Sequence, residues 1–398
     1  MKVVIAPDSF KESLSAKLVA EAIAQGVRDA MPAAKILCVP MADGGEGTVD
    51  AVLAATPGGE RRESIVTGPL GQATTAPWGW LPDTCTAVIE IAAASGIHLV
   101  PHDKRDATKA STFGTGELIL EALNAGAKRI ILGLGGSATN DGGSGMLRAL
   151  GALFLDDSGK QLAEGGLSLA HLHQLDFASL DDRLLGIRID VACDVDIPLC
   201  GLKGASHVFG PQKGASLDQV QALDAALEHY ADVCSAQFGR DDREFPGGGA
   251  AGGIGYAARM FLHASFRPGV ELVAELSGLF EAVQGADLVI TGEGRLDEQT
   301  LYGKTPAGVA AVASAAGVPT IAIAGTLGAG YQRLRDIGIE AAFSITSGPM
   351  TLEDACSDAY RLLRDRASDV IRVWIIAQGG ANAKQIRATN DRRKSDTP

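Results

Sequence analysis

The sequence predicts an α/β protein organised around a parallel sheet, and three observations carry that prediction. Short β-branched apolar runs alternate with segments of helical apolar spacing at both ends of the chain. Several of those runs lead straight into glycine-rich loops, and glycine reaches 50 of 398 residues, well above its ordinary share of about 7%. Strands that alternate with helices need crossover connections, and a crossover leaves the two strands parallel.

Taken in order, the first strand is Val3-Val4-Ile5-Ala6, apolar at every position as a strand covered on both faces must be. Leu18, Val19, Ala22, Ile23 and Val27 recur at helical spacing, and Pro32 stops the helix they form. Ile36-Leu37-Cys38-Val39 is a second buried run, followed by a glycine-rich turn and a helix over Thr48–Ala55. The C-terminal part repeats this grammar. Strand Asp287–Ile290 leads through a glycine loop to a helix over Ala307–Ala316, strand Thr320–Ala324, a helix over Tyr331–Ile337, strand Ala342–Thr346 and a long last helix from Leu352. Between them the pattern is less regular. Strands are predicted over Thr86–Ile91, Arg129–Leu134 and Arg188–Ala192, and Ser216 with Gln219 has the spacing of a capping box that opens a helix.

At about 150 residues per domain the length allows two or three domains. The two regular ends read as one Rossmann/flavodoxin-like parallel-sheet domain, residues 1–70 plus 286–378, with a second α/β domain, 71–285, inserted. From 379 to 398 the chain turns basic and loses apolar periodicity, which predicts a disordered tail.

Composition removes several partner classes. A net charge of −13 with 5% aromatic residues offers neither the positive patch nor the stacking surface that nucleic acid needs, and an anionic membrane is disfavoured for the same reason. The 28 residues from Thr305 to Gln332 carry no charge, but they are rich in Ala and Gly and broken by Gly317-Val318-Pro319. They read as a buried helix, a turn and a buried strand rather than a membrane span. Too few apolar residues follow Met1-Lys2 for a signal peptide, and six scattered cysteines without a CxxC pair suit reduced, mostly buried thiols in a cytoplasmic protein. Small molecules remain as the ligand class.

The loops carry the chemistry. Glycines let a backbone approach a ligand and aim N–H groups at it, and a following helix adds a positive end, which together favour phosphate. Gly133–Gly143 follows the strand Arg129–Leu134, and Thr291–Asp297 follows Asp287–Ile290. Acids recur at such strand ends: Asp8, Asp43, Glu46, Asp141, Asp194, Glu293 and Asp297. In open α/β sheets ligands sit outside the carboxyl ends of the strands, where carboxylates suit a hard cation such as Mg²⁺ or a general base, and equally suit turns and helix caps. Lys11, Lys213, Arg295 and Lys304 are the basic residues in these settings, available to neutralise a phosphate or a carboxylate.

Formal motifs are missing. Gly303-Lys304-Thr305 lacks the glycine that a P-loop needs at 298, and the one GxGxxG, at Gly247, Gly249 and Gly252, follows a charged stretch instead of a strand. His171-Leu172-His173 lies in a Leu-rich segment and reads as packing or surface, and no GxSxG elbow occurs.

Six segments together resemble the glycerate kinase type 1 family: Ala6–Ser13, Ala42–Thr48, Gly135–Gly143, Phe209–Ala215, Ala250–Gly253 and Thr291–Asp297. The resemblance runs in order from Lys2 to Trp374. It implies a two-domain α/β fold and ATP-dependent, Mg²⁺-assisted phosphorylation of D-glycerate to 2-phosphoglycerate. It further implies Asp194 as general base, Asp43 and Glu293 beside the metal, and Lys11, Lys213 and Arg295 neutralising charge. On the same basis the Gly135, Gly136, Ser137 and Gly292, Gly294 backbones, with Asp297, would hold the nucleotide, and Asp8, Ser9, Glu46 and Asp141 the substrate. Two positions depart from the family pattern: Ile197 stands where Asn is usual, and Gly248 where Ala is usual. The alternatives are a kinase for a related hydroxy acid, a nucleotide-dependent oxidoreductase and a non-catalytic ligand-binding protein.

Overall fold

The computed structural model describes residues 1–378; the basic segment 379–398, expected to be a disordered tail, lies outside the described residues. The chain divides into two compact units. Among the described residues, unit 1 holds 1–43, 50–56 and 273–378, and unit 2 holds 44–49 and 57–272.

Unit 1 is built on five parallel strands in the order Lys35–Cys38, Lys2–Ile5, Leu288–Thr291, Thr320–Ala324, Ile339–Ser344. In order of appearance these are strands two, one, three, four and five, the flavodoxin-like arrangement. The central strands are buried almost throughout and chiefly apolar because helices cover both faces. The helix Ala16–Ala30 is opened by the Ser15 hydroxyl, ends just before Pro32, and turns Val19, Ile23 and Val27 into the core. It packs on the last helix, Ala359–Ala377, so closely that a Cβ on Gly26 would lie 2.1 Å from the Arg364 carbonyl oxygen. Glycine is therefore obligatory there.

The uncharged Thr305–Gln332 stretch resolves into the helix Thr305–Ala315, a turn at Gly317 and the buried strand Thr320–Ala324. Among the described residues no helix is long and apolar enough to cross a membrane. Tyr331–Ile337 is a 3₁₀ turn instead of an α-helix, since Gly330 and Gly338 bound it in left-handed conformations.

Unit 2 carries a six-stranded mixed sheet in the order Ser265–Arg267, Arg188–Ala192, Arg129–Gly133, Thr86–Glu90, Ala73–Leu81, Glu60–Thr67. The first four are parallel and the last two form an antiparallel hairpin. That hairpin spans position 70, because Gly68–Gly71 is its turn, and Val273–Ala282 is grouped with unit 1. Both boundaries differ from those read in the sequence. The Ser216–Gln219 capping box is present and opens the helix Leu217–Phe238. Of the six cysteines, all free, only Cys200 and Cys234 are buried; Cys38 is exposed, so "mostly buried" does not hold.

Candidate active site

In unit 1 the strand order reverses between Lys2–Ile5 and Leu288–Thr291, and ligands of open α/β sheets bind at that switch point. The two strands leave the sheet together. The Asp8 amide donates to the Gly292 carbonyl at 2.8 Å, and the Thr291 hydroxyl to the Ala6 carbonyl at 2.8 Å. A Cβ on Gly292 would lie 2.0 Å from the Ile323 carbonyl oxygen, so only glycine turns the chain here. A Cβ on Gly294 would lie 3.7 Å from the Cα of Phe10, so the two sequence-distant loops pack against each other.

These turns bring Asp8 and Glu293 to one place. Asp8 accepts the Ser9 amide at 2.6 Å and the Thr305 hydroxyl at 2.5 Å; Glu293 accepts the Thr300 hydroxyl at 2.7 Å. Burial pushes the Asp8 carboxyl up to about 6, against the Thr305 hydrogen bond and with the Asp43 charge adding to the rise. Burial likewise pushes Glu293 up to about 7, Thr300 and Lys304 opposing it and the Asp8 charge reinforcing it. Three predicted acids, Asp8, Asp43 and Glu293, are thus one electrostatic group.

Around them the other predicted residues divide. Ser9 contributes its backbone amide to Asp8. Lys11 is exposed in the next turn, where Glu12 takes a left-handed conformation. Asp297 is a cap: it accepts the Gln299 amide at 3.0 Å, receives the Arg295 guanidinium at 2.9 Å and opens the 3₁₀ turn Glu298–Leu301. Arg295 is exposed and held by Asp297. Thr305 and Thr300 escaped sequence reasoning, since nothing in a threonine at a helix start indicates which acid its hydroxyl will reach.

In unit 2 the carboxyl ends of the parallel strands are packed with glycine. A Cβ on Gly133 would lie 2.3 Å from the Gly44 carbonyl oxygen, and one on Gly135 would lie 3.0 Å from the Gly45 Cα. Glu46, beside them, is exposed. Gly136 is left-handed at φ 71°. Ser137 continues into a buried segment that Lys213 ties down, its ammonium donating to the Ser137 hydroxyl at 2.8 Å and the Thr139 carbonyl at 2.7 Å. Lys213 is 3% exposed; burial lowers it to about 7, the Asp141 charge working the other way.

Asp141 does not fit the substrate contact expected of it. Its side chain is fully buried and accepts four donors: the Thr112 amide and hydroxyl, each at 2.8 Å, and the Gly143 and Gly145 amides, each at 3.2 Å. It organises the glycine loop from inside. Asp194, by contrast, is exposed just beyond the strand Arg188–Ala192, with one oxygen accepting the Gly269 amide at 3.1 Å. The rejected GxGxxG is a packing device. The Gly247 and Gly249 amides both donate to the Ile197 carbonyl, and a Cβ on Gly249 would lie 2.1 Å from the Pro198 carbonyl oxygen.

The chain resembles known proteins over nearly its whole length. The glycerate kinase family profile matches residues 3–375. The chain is 50% identical to the glycerate kinase of Bacillus subtilis (strain 168), over 93% of this chain and 97% of that one. It is 51% identical to the glycerate 2-kinase of Escherichia coli (strain K12), over 90% and 94% respectively. A crystal structure of a chain assigned as glycerate kinase 2 from Salmonella typhimurium LT2 superposes with a TM-score of 0.86 at 48% identity, covering 95% of this chain and 99% of that one. With its profile matched over nearly the whole length and relatives at half identity, this chain belongs to the glycerate kinase family.

Proposed function

We propose that the protein transfers the terminal phosphoryl group of ATP to a hydroxyl of D-glycerate, giving 2-phosphoglycerate. The observation that carries the reading is the Asp8–Glu293 pair at the switch point, two carboxyls held well above their ordinary range. Two acids that raise each other in a half-buried site favour a nearby cation, and carboxylate oxygens suit a hard divalent ion that also keeps phosphate oxygens among its ligands. Among the described residues no three ligating side chains gather closely enough to cage a metal by themselves, so Asp43 and Glu293 would stand beside a Mg²⁺ held largely by the nucleotide's phosphates, where the ion supplies charge neutralisation on phosphate oxygens.

The remaining roles belong to the chain itself. Asp194 is the base: exposed and oriented by the Gly269 amide, it takes the proton of the acceptor hydroxyl. The Gly135–Ser137 and Gly292–Gly294 backbones present amides to phosphate. Lys11 and Arg295 supply exposed positive charge. Lys213 spends two of its three N–H donors on the Ser137 hydroxyl and the Thr139 carbonyl, so it acts chiefly by holding that loop in shape. Six free cysteines suit a reducing cytoplasm.

The test is glycerate-dependent ADP release with Mg²⁺ and ATP, the product then being offered to enolase alone. Turnover followed by consumption is expected. Turnover without consumption would place the phosphate on the 3-hydroxyl, and absence of turnover would refute glycerate as substrate. In that event a panel of hydroxy acids is indicated, because apolar Ile197 lies close to Asp194 in the chain.

A further inference from the structure

The six-stranded sheet of unit 2 ends on one side at Glu60–Thr67, an edge strand of eight residues. The opposite edge, Ser265–Arg267, has three. Sheets commonly keep their edges short to avoid pairing with other chains, so the long edge is the one open to a partner.

The pairing within the hairpin decides which backbone groups that edge presents. The Gly68 amide donates to the Gln72 carbonyl at 2.6 Å, and hydrogen-bonded pairs alternate along an antiparallel ladder. Arg62 and Ser64, opposite Trp78 and Ala76, therefore turn their N–H and C=O groups inward. Glu63 faces Pro77, which has no N–H to give, and so belongs to the other class. Arg61, Glu63, Ile65 and Thr67 turn theirs outward. At Thr67 those groups are already covered. Its amide donates to Glu117 at 2.6 Å, and a Cβ on Gly114 would lie 2.0 Å from its carbonyl oxygen. The helix Phe113–Asn124 thus closes one end of the edge, and Arg61, Glu63 and Ile65 stay exposed.

The order of charges selects a register for a second copy of the same strand. A two-fold axis perpendicular to the sheet sets the two strands antiparallel, with outward residues facing outward residues. Arg61 opposite itself, or Glu63 opposite itself, brings like charges together. Ile65 opposite itself or opposite Glu63 brings a residue to Thr67, which the helix covers. The remaining register sets Arg61 opposite the second copy's Glu63 and Glu63 opposite its Arg61, two opposite-charge pairs. Arg62 then meets its own copy at the axis. Its charge is met within its own chain, by Glu60 at 2.8 Å and by the Trp80 ring, whose centre lies 4.9 Å away.

We propose that Glu60–Ile65 is a dimer edge, at which a second copy of this chain adds its own Glu60–Ile65 antiparallel, Arg61 against Glu63, and joins the two sheets into one. Main-chain hydrogen bonds supply the attachment and the charge pairs the register. Charges on an edge strand ordinarily repel other strands. An Arg-x-Glu order repels strangers and admits an inverted copy of itself. Sedimentation velocity of the full chain across the micromolar range tests this, with Glu63→Arg, Arg61→Glu and the double exchange of the two. Thermal unfolding confirms that the variants fold.

The parent is expected to be a dimer. Either single reversal turns both cross-strand pairs into like charges and should weaken dimerisation about tenfold or more. The double exchange restores opposite charges and should restore the dimer. A monomeric parent, single reversals that dimerise like the parent, or a double exchange no better than the singles would overturn the proposal. Hydrogen exchange of the parent needs no variant. Slow exchange is expected at the Arg61 and Glu63 amides, and fast exchange there in a dimeric parent would remove this edge as the interface.

Discussion

The two units use the same local grammar, a buried strand running into a glycine loop, and arm it in opposite ways. In unit 1 the acids at the loop are left short of donors. Among the described residues Asp8 takes two hydrogen bonds and Glu293 one, and burial drives both toward the protonated form. In unit 2 burial raises Asp141 as well, but it takes four donors and is sealed from solvent. A sealed acid with both oxygens engaged by three backbone amides and a hydroxyl is part of the scaffold, whereas one that is crowded and under-supplied is ready for an external partner. A strand-end acid is therefore judged by its donors, not by its place in the motif.

Four measurements break or sharpen that contrast. The largest effect is expected from Asp194→Asn, which should lower kcat between about 10²- and 10⁴-fold while the melting temperature holds, since an amide oxygen can still accept the Gly269 amide. Near-normal turnover would remove Asp194 as the base. Asp141→Asn should do the reverse. Placing an NH₂ among four donors should cost about 3 kcal/mol of stability, read by denaturant unfolding, and a variant as stable as the parent would show that the acid is not structural.

Next comes the pH dependence. Asp8 and Glu293 have folded values of about 6 and about 7 against ordinary values of 3.8 and 4.5, so the folded chain holds the extra protons. Their contribution is complete below pH 4 and is lost as pH rises to about 7. Asp8→Asn should flatten that part of the metal-free stability curve; a curve of unchanged slope would contradict the assigned burial. The smallest effect is expected of Lys213→Met. A lysine lowered from 10.5 to about 7 makes the folded state gain stability as pH rises between those values, and the variant should lose that gain.

Much of the fold was legible because local rules agreed with the global one. Pro32 ends the first helix, the Ser216–Gln219 box opens the helix Leu217–Phe238, and the central strands of unit 1 are where apolar runs predict them, while the edge strand expected at Ala342–Thr346 begins earlier, at Ile339. The hairpin Glu60–Leu81 was not, because Arg61, Arg62 and Glu63 hide an edge strand whose outer positions are wet, and position 70 falls in its turn. The site was legible as a set of loops and not as a set of partners. Asp8 and Glu293 are 285 positions apart, and only the parallel pairing of Val3 with Leu288 tells that they meet. Nor does the sequence distinguish Asp297, a cap, from Glu293, four residues earlier and crowded by a second acid.

That same pairing governs how the molecule is made. The strand Lys2–Ile5 leaves the ribosome long before its neighbour, since the Leu288 that pairs with Val3 is synthesised 285 residues later. Unit 2, nearly continuous from 57 to 272, is complete before that neighbour exists. Domains generally fold as they emerge, and long-range parallel pairing is slow. The nascent chain therefore carries an apolar N-terminal strand, open along one edge, through most of its synthesis. The sheet that brings Asp8 to Glu293 is the last part of the molecule to close.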